Sequence, residues 1–151
     1  LQVSKEAAKI NARGRRHAAE VTRLSRAHTY SDRAMRTIRV IARRVVGITE
    51  LGVKKPIIAD YVESLADGAK KLEIALRRGT DRSLAEVALS EAAGELDPRA
   101  EKSWDIHDES LVLLLRPVAA DLLQAAGLTN DAAHDRLPSL AEDNADGPPV
   151  E

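Results

Sequence analysis

Residues 33 to 46 read RAMRTIRVIARRVV, and this stretch decides the fold. With about 100° between successive residues of a helix, Met35, Ile38 and Val45 gather on one side. The arginines of the stretch fall on the opposite side, and they are Arg33, Arg36, Arg39, Arg43 and Arg44. An apolar side opposite a basic side is typical of an amphipathic helix that covers a protein core. The stretch therefore predicts a helix and raises the question of what its arginines contact.

The apolar pattern continues in both directions at spacings of four and three. The series runs through Val3, Ala7, Ile10, Gly14, His17, Val21, Leu24, His28, Ser31, Met35, Ile38, Ala42, Val45 and Thr49. It is a heptad pattern that we expect to face the core, with Ala34, Ile41 and Ile48 widening it to the breadth of a bundle helix. Because a turn would shift the phase, we expect one helix from about Arg15 to Glu50 that continues through Ser31.

Capping and breaking residues divide the remainder into further helices. Pro56 suits the first turn of a helix that ends at Gly79, with Ile58, Tyr61, Leu65, Ala69, Leu72 and Leu76 on its apolar face. Thr80 or Asp81 would cap a shorter helix that bears Leu84, Val87, Ala88 and Leu96. Residues 105 to 126 predict a central helix that is apolar on most sides and kinked at Pro117. A last short helix would begin after Thr129 and stop before Pro138.

Composition supports an all-α protein. The 151 residues include 25 alanines, and they lack cysteine and phenylalanine, so disulfides and thiolate metal sites are excluded. We expect an antiparallel helical bundle of about four to six helices with one long N-terminal helix. Residues 1–138 would form this domain, and the acidic residues 139–151 a disordered tail. The longest apolar run, LVLLL at residues 111 to 115, is too short to cross a bilayer. Since the chain begins with Leu1, we interpret it as a fragment of a longer protein.

Charge is unevenly distributed along the chain. Residues 1 to 55 hold 14 Lys or Arg against 4 Asp or Glu, whereas residues 56 to 151 hold 9 against 20. Three interpretations of the five arginines stay open. They could be solvated and partly neutralised by acidic helices of the same bundle, or they could face anionic lipid headgroups. The third interpretation, nucleic-acid binding, has the least support because the overall pI is about 6.5 and aromatic stacking residues do not accompany the arginines.

Residues that could carry chemistry are present but do not form a recognisable site. His107, Asp108 and Glu109 are consecutive, so on a helix they point in different directions and suit a helix N-terminus better than a metal. His17 and His28 lie on the heptad series, where we expect interior or partner-contacting side chains. Glu91 and Glu95 lack the Glu-x-x-His motif of di-metal bundles. We therefore expect no enzyme activity, no cofactor and no metal.

Three stretches resemble one known family. They are RRHAAEVTRLSRAHTYSDRAMR (residues 15 to 36), SDRAMRTIRVIARRVVG (31 to 47) and LVLLLRPVAADLLQAAGLTNDAAHDRLPSL (111 to 140). Together they resemble the C-terminal cytoplasmic region of actinobacterial members of the fusaric acid resistance, or aromatic acid exporter, family of membrane proteins. The chain departs from the family pattern at Pro117 and at NARG, residues 11 to 14.

The resemblance implies a non-catalytic structural or regulatory domain on the cytoplasmic side of the cell membrane. Its partner would be the protein's own transmembrane domain, which is absent from this sequence, and the exporter would move aromatic or related organic acids. Anionic lipid headgroups and a second copy of the chain are further candidate partners. The alternative is a free-standing helical adaptor that binds nucleic acid or a protein through the basic face.

Overall fold

The computed structural model describes the backbone of residues 2–50, 52 and 54–140, and the side chains of residues 14–15, 17–50, 52 and 54–140. These residues form five α-helices and no strand. The helices are α1 (Gln2–Glu50), α2 (Pro56–Arg78), α3 (Ser83–Gly94), α4 (Ile106–Ala126) and α5 (Asn130–His134). The prediction of an all-α bundle with one long N-terminal helix is therefore confirmed.

Helix α1 has 49 residues and is roughly 73 Å long at 1.5 Å per residue. It passes through Ser31 without a break, as predicted, and its poor helix formers are accommodated locally. The hydroxyl of Thr29 donates to the carbonyl of Ser25 at 3.0 Å, one turn earlier. The predicted start near Arg15 is wrong, because the helix begins at Gln2 and includes the NARG stretch. A single glycine within a helix costs only about 1 kcal/mol, which the surrounding helix formers offset.

The part of α1 that enters the core is one edge of the predicted face, the edge formed by Ala34, Ile41 and Ile48. Its buried residues recur every seven positions, and they are Ala27, Ala34, Ile41 and Ile48. Most of the predicted heptad series lies beside this line and is exposed, namely at His17, Val21, Leu24, His28, Met35, Ile38 and Ala42. The side chains of Val3, Ala7 and Ile10 lie outside the described residues. The small side chains of Ala27 and Ala34 let α1 come close to α4, its main packing partner. The buried line is therefore covered by α4, whereas the bulkier heptad residues beside it are not.

Helix α2 follows the sequence prediction closely. Pro56 stands in its first turn, and Ile58, Leu65 and Leu72 are buried. Gly79 ends it with φ 62°, a left-handed conformation that glycine adopts readily, and the backbone N–H groups of Gly79 and Thr80 donate to carbonyls of the last turn.

Helix α3 departs from its prediction in two respects. Its N-cap is Arg82, without a side-chain cap, whereas Thr80 and Asp81 lie outside the helix. Leu84 and Val87 are exposed, and the buried face is mostly alanine: Ala85, Leu89, Ala92 and Ala93. This face packs on α2 and α4, where small side chains allow a close approach. Leu96 is buried as predicted, although it lies beyond the helix end.

Helix α4 is the centre of the bundle and packs against each of the other four helices. Asp105 caps it by accepting hydrogen bonds from the backbone N–H groups of His107 and Asp108, and the Asp108 carboxylate in turn accepts one from the backbone N–H of Asp105. The interpretation of the acidic residues as a helix N-terminus is confirmed. The helix continues through the exposed Pro117 and ends at Gly127, its predicted end, whereas the kink at Pro117 stays a prediction.

The chain after α4 is held against the bundle. Thr129 caps α5 through a hydrogen bond from the N–H of Ala132, as predicted. The Arg116 guanidinium donates to the carbonyls of Leu96 at 2.6 Å and Pro138 at 2.7 Å. Residues 139 and 140 are described, and the rest of the predicted disordered tail lies outside the described residues. That part of the domain assignment stays a prediction.

Candidate interaction surfaces on the long helix

The described part of α1 presents three different sides. The first is the buried line that packs on α4. The second, one residue and therefore about 100° further round, is an exposed stripe. We use this term for Val21, Leu24, His28, Met35, Ile38 and Ala42. The third is the arginine face, which comprises Arg33, Arg36, Arg39, Arg43 and Arg44. One helix thus supplies the core contact and two surfaces that the bundle leaves open.

The arginine face is solvent-exposed at all five positions. Arg36 pairs with Asp32 one turn earlier, with 2.7 Å between Nη2 and Oδ2, and the Arg36 side chain stays 73% exposed. Arg33 lies over the ring of Tyr30 at 5.7 Å, and Arg26 lies at the same distance from that ring. These contacts fix the direction of two arginines of the face, Arg33 and Arg36, and leave the surface positive.

Acidic side chains of the other helices do not pair with this face. Among the described residues, no ion pair within 4.0 Å joins one of the five arginines to an acid outside α1. One acidic residue of another helix, Asp121 of α4, interacts electrostatically with Arg33 of the face. Burial raises the pKa of Asp121, and the charges of Arg33 and His134 act in the opposite direction. Arg39, Arg43 and Arg44 have no acidic partner among the described side chains, so their charge faces solvent.

An apolar groove lies between α1 and α2, with α4 as its floor. On the α1 side it is bounded by Met35 and Ile38 of the exposed stripe. The α2 side contributes Val62, Ala66, Ala69 and Leu76, and the floor is Leu115, Val118 and Leu122. Its volume is about 460 Å³, and only Ser31, Glu73 and Arg77 among the lining residues are polar or charged. The groove exists because α1 packs on α4 and α2 packs chiefly on α3, which leaves the first two helices apart.

The sequence contains a signal for this groove. The heptad series predicts that Met35 and Ile38 lie on one side of α1 and face the core, whereas in the structure they line the groove. The α2 wall was missed, because Val62 and Ala66 lie beside the predicted core face of that helix.

A second, polar cleft of about 310 Å³ lies where α1 passes the turn between α2 and α3. Arg26 donates to the carbonyl of Leu128 at 2.9 Å, and Arg82 donates to the carbonyl of Ala125 at 3.2 Å. Arg82 therefore satisfies a carbonyl in the last turn of α4, and Arg26 satisfies one in the turn that follows this helix. Acidic Glu20, Asp81 and Glu86 also line the cleft, so its charges are balanced. We regard this cleft as structural.

One partly buried charge cluster ties the start of α2 to the start of α4. Lys55 Nζ lies 2.9 Å from Asp105 Oδ2 and 2.7 Å from Asp108 Oδ2. Burial acts to lower the pKa of Lys55, but hydrogen bonds to the two carboxylates outweigh it and raise the pKa. The Lys55 hydrogen bond and backbone N–H donors lower the pKa of Asp105 to about 2. Every charge of the cluster has an opposite charge beside it, so the cluster stabilises the fold.

The histidines and acidic side chains of the described residues do not gather into a metal site. They contain no group of three His, Asp or Glu side chains that could hold a metal ion. His17, His28 and His107 are exposed on separate helical turns, so His17 and His28 are not interior, and their expected alternative role in contacting a partner stays a prediction. Among the same residues, every helix is too short or too polar to serve as a membrane span.

The chain was compared with protein-family models, curated proteins and solved structures, and none of them matches it.

Proposed function

We propose that this chain is a non-catalytic helical domain with a structural or regulatory role on the cytoplasmic side of an exporter of aromatic or related organic acids. Two features support the proposal. Residues 15 to 47 and 111 to 140 resemble the C-terminal cytoplasmic region of the aromatic acid exporter family. The arginine face is open, as a surface beside anionic headgroups requires. The membrane-spanning helices would belong to a segment outside these 151 residues.

The observation that most directly supports a lipid-facing surface is that Arg39, Arg43 and Arg44 are exposed and have no acidic partner among the described residues. A basic residue near an anionic membrane surface contributes about 1 kcal/mol of attraction. The cytoplasmic regions beside spanning helices also carry an excess of Lys and Arg. In residues 14 to 50 there are 9 arginines against 3 acidic residues, which gives α1 the required sign of charge.

Vesicle co-sedimentation tests the lipid-facing surface. We expect the chain to sediment with vesicles that contain phosphatidylserine and to remain in solution with phosphatidylcholine alone. The double variant Arg39→Gln/Arg43→Gln should weaken partitioning by about 30-fold, since each arginine contributes about 1 kcal/mol. The matched control Arg77→Gln/Arg78→Gln removes two exposed arginines of α2, and it should reduce binding far less.

The alternative is a free-standing helical adaptor that binds nucleic acid or a protein through the arginine face. A gel-shift titration of duplex DNA and RNA across salt concentrations separates the two functions. Tight binding with a steep salt slope, together with equal sedimentation on both vesicle types, would replace the exporter proposal by the adaptor. Membrane fractionation of the natural full-length product tests the exporter assignment directly: recovery in the soluble fraction would contradict it.

A further inference from the structure

We propose that the exposed stripe of α1 and the adjoining groove form an interface between two copies of this chain, with the two α1 helices antiparallel. The proposal does not depend on the exporter function. It concerns a different side of α1 from the arginine face, so failure of one leaves the other standing. Three observations support it. The stripe is exposed, its apolar residues face one another when two copies of α1 lie antiparallel, and the groove is about as long as the exposed N-terminal part of α1.

The stripe is apolar and uncovered over a long distance. Val21 is 52% exposed, Leu24 is 43% exposed and Met35 is 47% exposed. Its members follow the spacing of four and three that brings residues of one helix against a second helix in a coiled coil. Most helical stability in proteins comes from packing of an apolar face, and the exposed half of these side chains lacks such packing in the single chain. A second helix along the stripe would supply it.

Four of the six stripe residues face one another when two copies of α1 lie antiparallel. With a two-fold axis between His28 and Ser31, position i of one chain faces position 59 − i of the other. Val21 then faces Ile38, and Leu24 faces Met35. His28 faces Ser31 at the centre, so the polar pair lies together and the apolar pairs lie on either side. Each of these contacts occurs twice, as a two-fold interface requires.

The groove lies beside the part of α1 along which the partner helix would run. It extends along α1 from Ser31 to Ile41, which face positions 28 to 18 of the partner in this register. Those positions belong to the part of α1 where side chains 17 to 19 and 21 to 26 are exposed. The exposed N-terminal part of each α1 helix is therefore about as long as the groove of the partner that would bind it. The partner's Val21 and Leu24 would contact the α2 wall as well as α1.

The size of this interface fits a weak dimer. Stable, specific interfaces use about 20 to 30 residues on each side. The stripe has six residues, and the α2 wall with its Glu73 and Arg77 edge adds six more, so each copy contributes fewer residues than a stable dimer uses. We therefore expect a dimer that dissociates on dilution.

Charge exchange across the two-fold axis tests the register. Sedimentation equilibrium of the 151-residue chain should show a monomer–dimer equilibrium. Leu24→Glu and Met35→Lys should each raise the dimer Kd about tenfold or more, because each places an unpaired charge against an apolar partner. The double variant Leu24→Glu/Met35→Lys should regain most of the affinity, because the introduced carboxylate and ammonium groups then face each other twice. Val40→Glu, on the arginine side, is the matched control and should leave the Kd unchanged.

Cysteine cross-linking gives a second readout, and the absence of native cysteine makes it unambiguous. A mixture of Leu24→Cys and Met35→Cys chains should oxidise to a disulfide dimer that contains one chain of each kind. Leu24→Cys alone should not, because the two introduced thiols of the antiparallel pair lie about 16 Å apart along the axis. Circular dichroism confirms that each variant is folded. A monomer at all concentrations, or cross-linking of Leu24→Cys with itself, would overturn the proposal.

Discussion

The side chain of Leu89 occupies the space in which a β-carbon on Gly68 would lie. A β-carbon built on Gly68 would be 2.6 Å from Cδ2 and 2.8 Å from Cγ of Leu89. Leu89 is fully buried in α3, and Gly68 is buried in α2, so the two helices touch where one of them has no side chain. This contact fixes the distance between the two helices.

Gly68→Ala should destabilise the protein by about 1–2 kcal/mol. The added methyl overpacks the contact with Leu89, and alanine's better helix propensity offsets only part of that cost. Urea unfolding followed by circular dichroism measures the change. Gly47→Ala is the control, because that position in α1 is exposed with nothing within 4 Å, and it should stabilise the protein. If both variants are equally stable, the Leu89 contact is not tight.

Asp108→Ala should destabilise the fold by about 1–3 kcal/mol. The change removes a capping partner of α4 and leaves Lys55, whose side chain is 15% exposed, with Asp105 as its remaining acid. Chemical unfolding at neutral pH measures the loss. The control is Lys71→Met, which breaks a surface pair with Asp67 and should change stability by less than about 1 kcal/mol. If the two variants lower the free energy of unfolding equally, the Lys55 cluster stabilises the protein no more than a surface ion pair does.

The Asp105 carboxylate should make the fold sensitive to acid. Its pKa is about 2 in the folded state, below the ordinary value near 4, because Lys55 and two backbone N–H groups stabilise the charged form. Its contribution to stability is therefore fully present above about pH 5 and is lost as the pH falls through about 4 towards 2. Asn also caps helices, so Asp105→Asn should retain the cap and flatten this part of the pH profile. An unchanged slope in thermal melts between these pH values would contradict the assignment.

Ile41→Ala should cost about 2–4 kcal/mol, since Ile41 belongs to the buried line of α1 and is 7% exposed. Val46→Ala, on the same helix at 55% exposure, should cost less than about 1 kcal/mol. Unfolding midpoints of the two variants test which side of α1 enters the core. A larger loss at Val46 would mean that α1 is rotated relative to the structure described.

Ser90→Ala should leave stability unchanged or increase it by about 1 kcal/mol. The Ser90 hydroxyl oxygen is buried without a hydrogen-bond partner among the described residues, and a buried unsatisfied polar group is unfavourable. Alanine removes that group and is the better helix former. Thermal unfolding of the variant beside the natural chain gives the answer. Destabilisation above about 1 kcal/mol would indicate that the hydroxyl has a partner in solution.

Local signals in the sequence predicted both ends of α2 and the start of α5, and they did so because they act over a few residues. Gly79, Thr129 and Pro56 each satisfy or remove backbone groups of their own helix, whatever the helix packs against. Which part of the predicted apolar face of α1 enters the core could not be predicted in this way. Met35 is more apolar than Ala34, but the close approach of α1 to α4 selects the smaller residue for the core.

The candidate site was predictable only in part. The arginine spacing placed all five residues on one side of α1, and their exposure follows from the core lying opposite. The groove depends on α1 packing with α4 rather than α2, which no short pattern encodes. The Lys55 cluster joins residues that are 50 and 53 positions apart, so periodicity within one helix gives no indication of it.

The hydrogen bond from Arg26 to the carbonyl of Leu128 joins two parts of the chain that are 102 positions apart. It ties α1 to the turn between α4 and α5 one residue before the buried line begins at Ala27. The first helix and the last turn of the bundle therefore constrain each other's position, although neither sequence stretch alone gives any sign of the other.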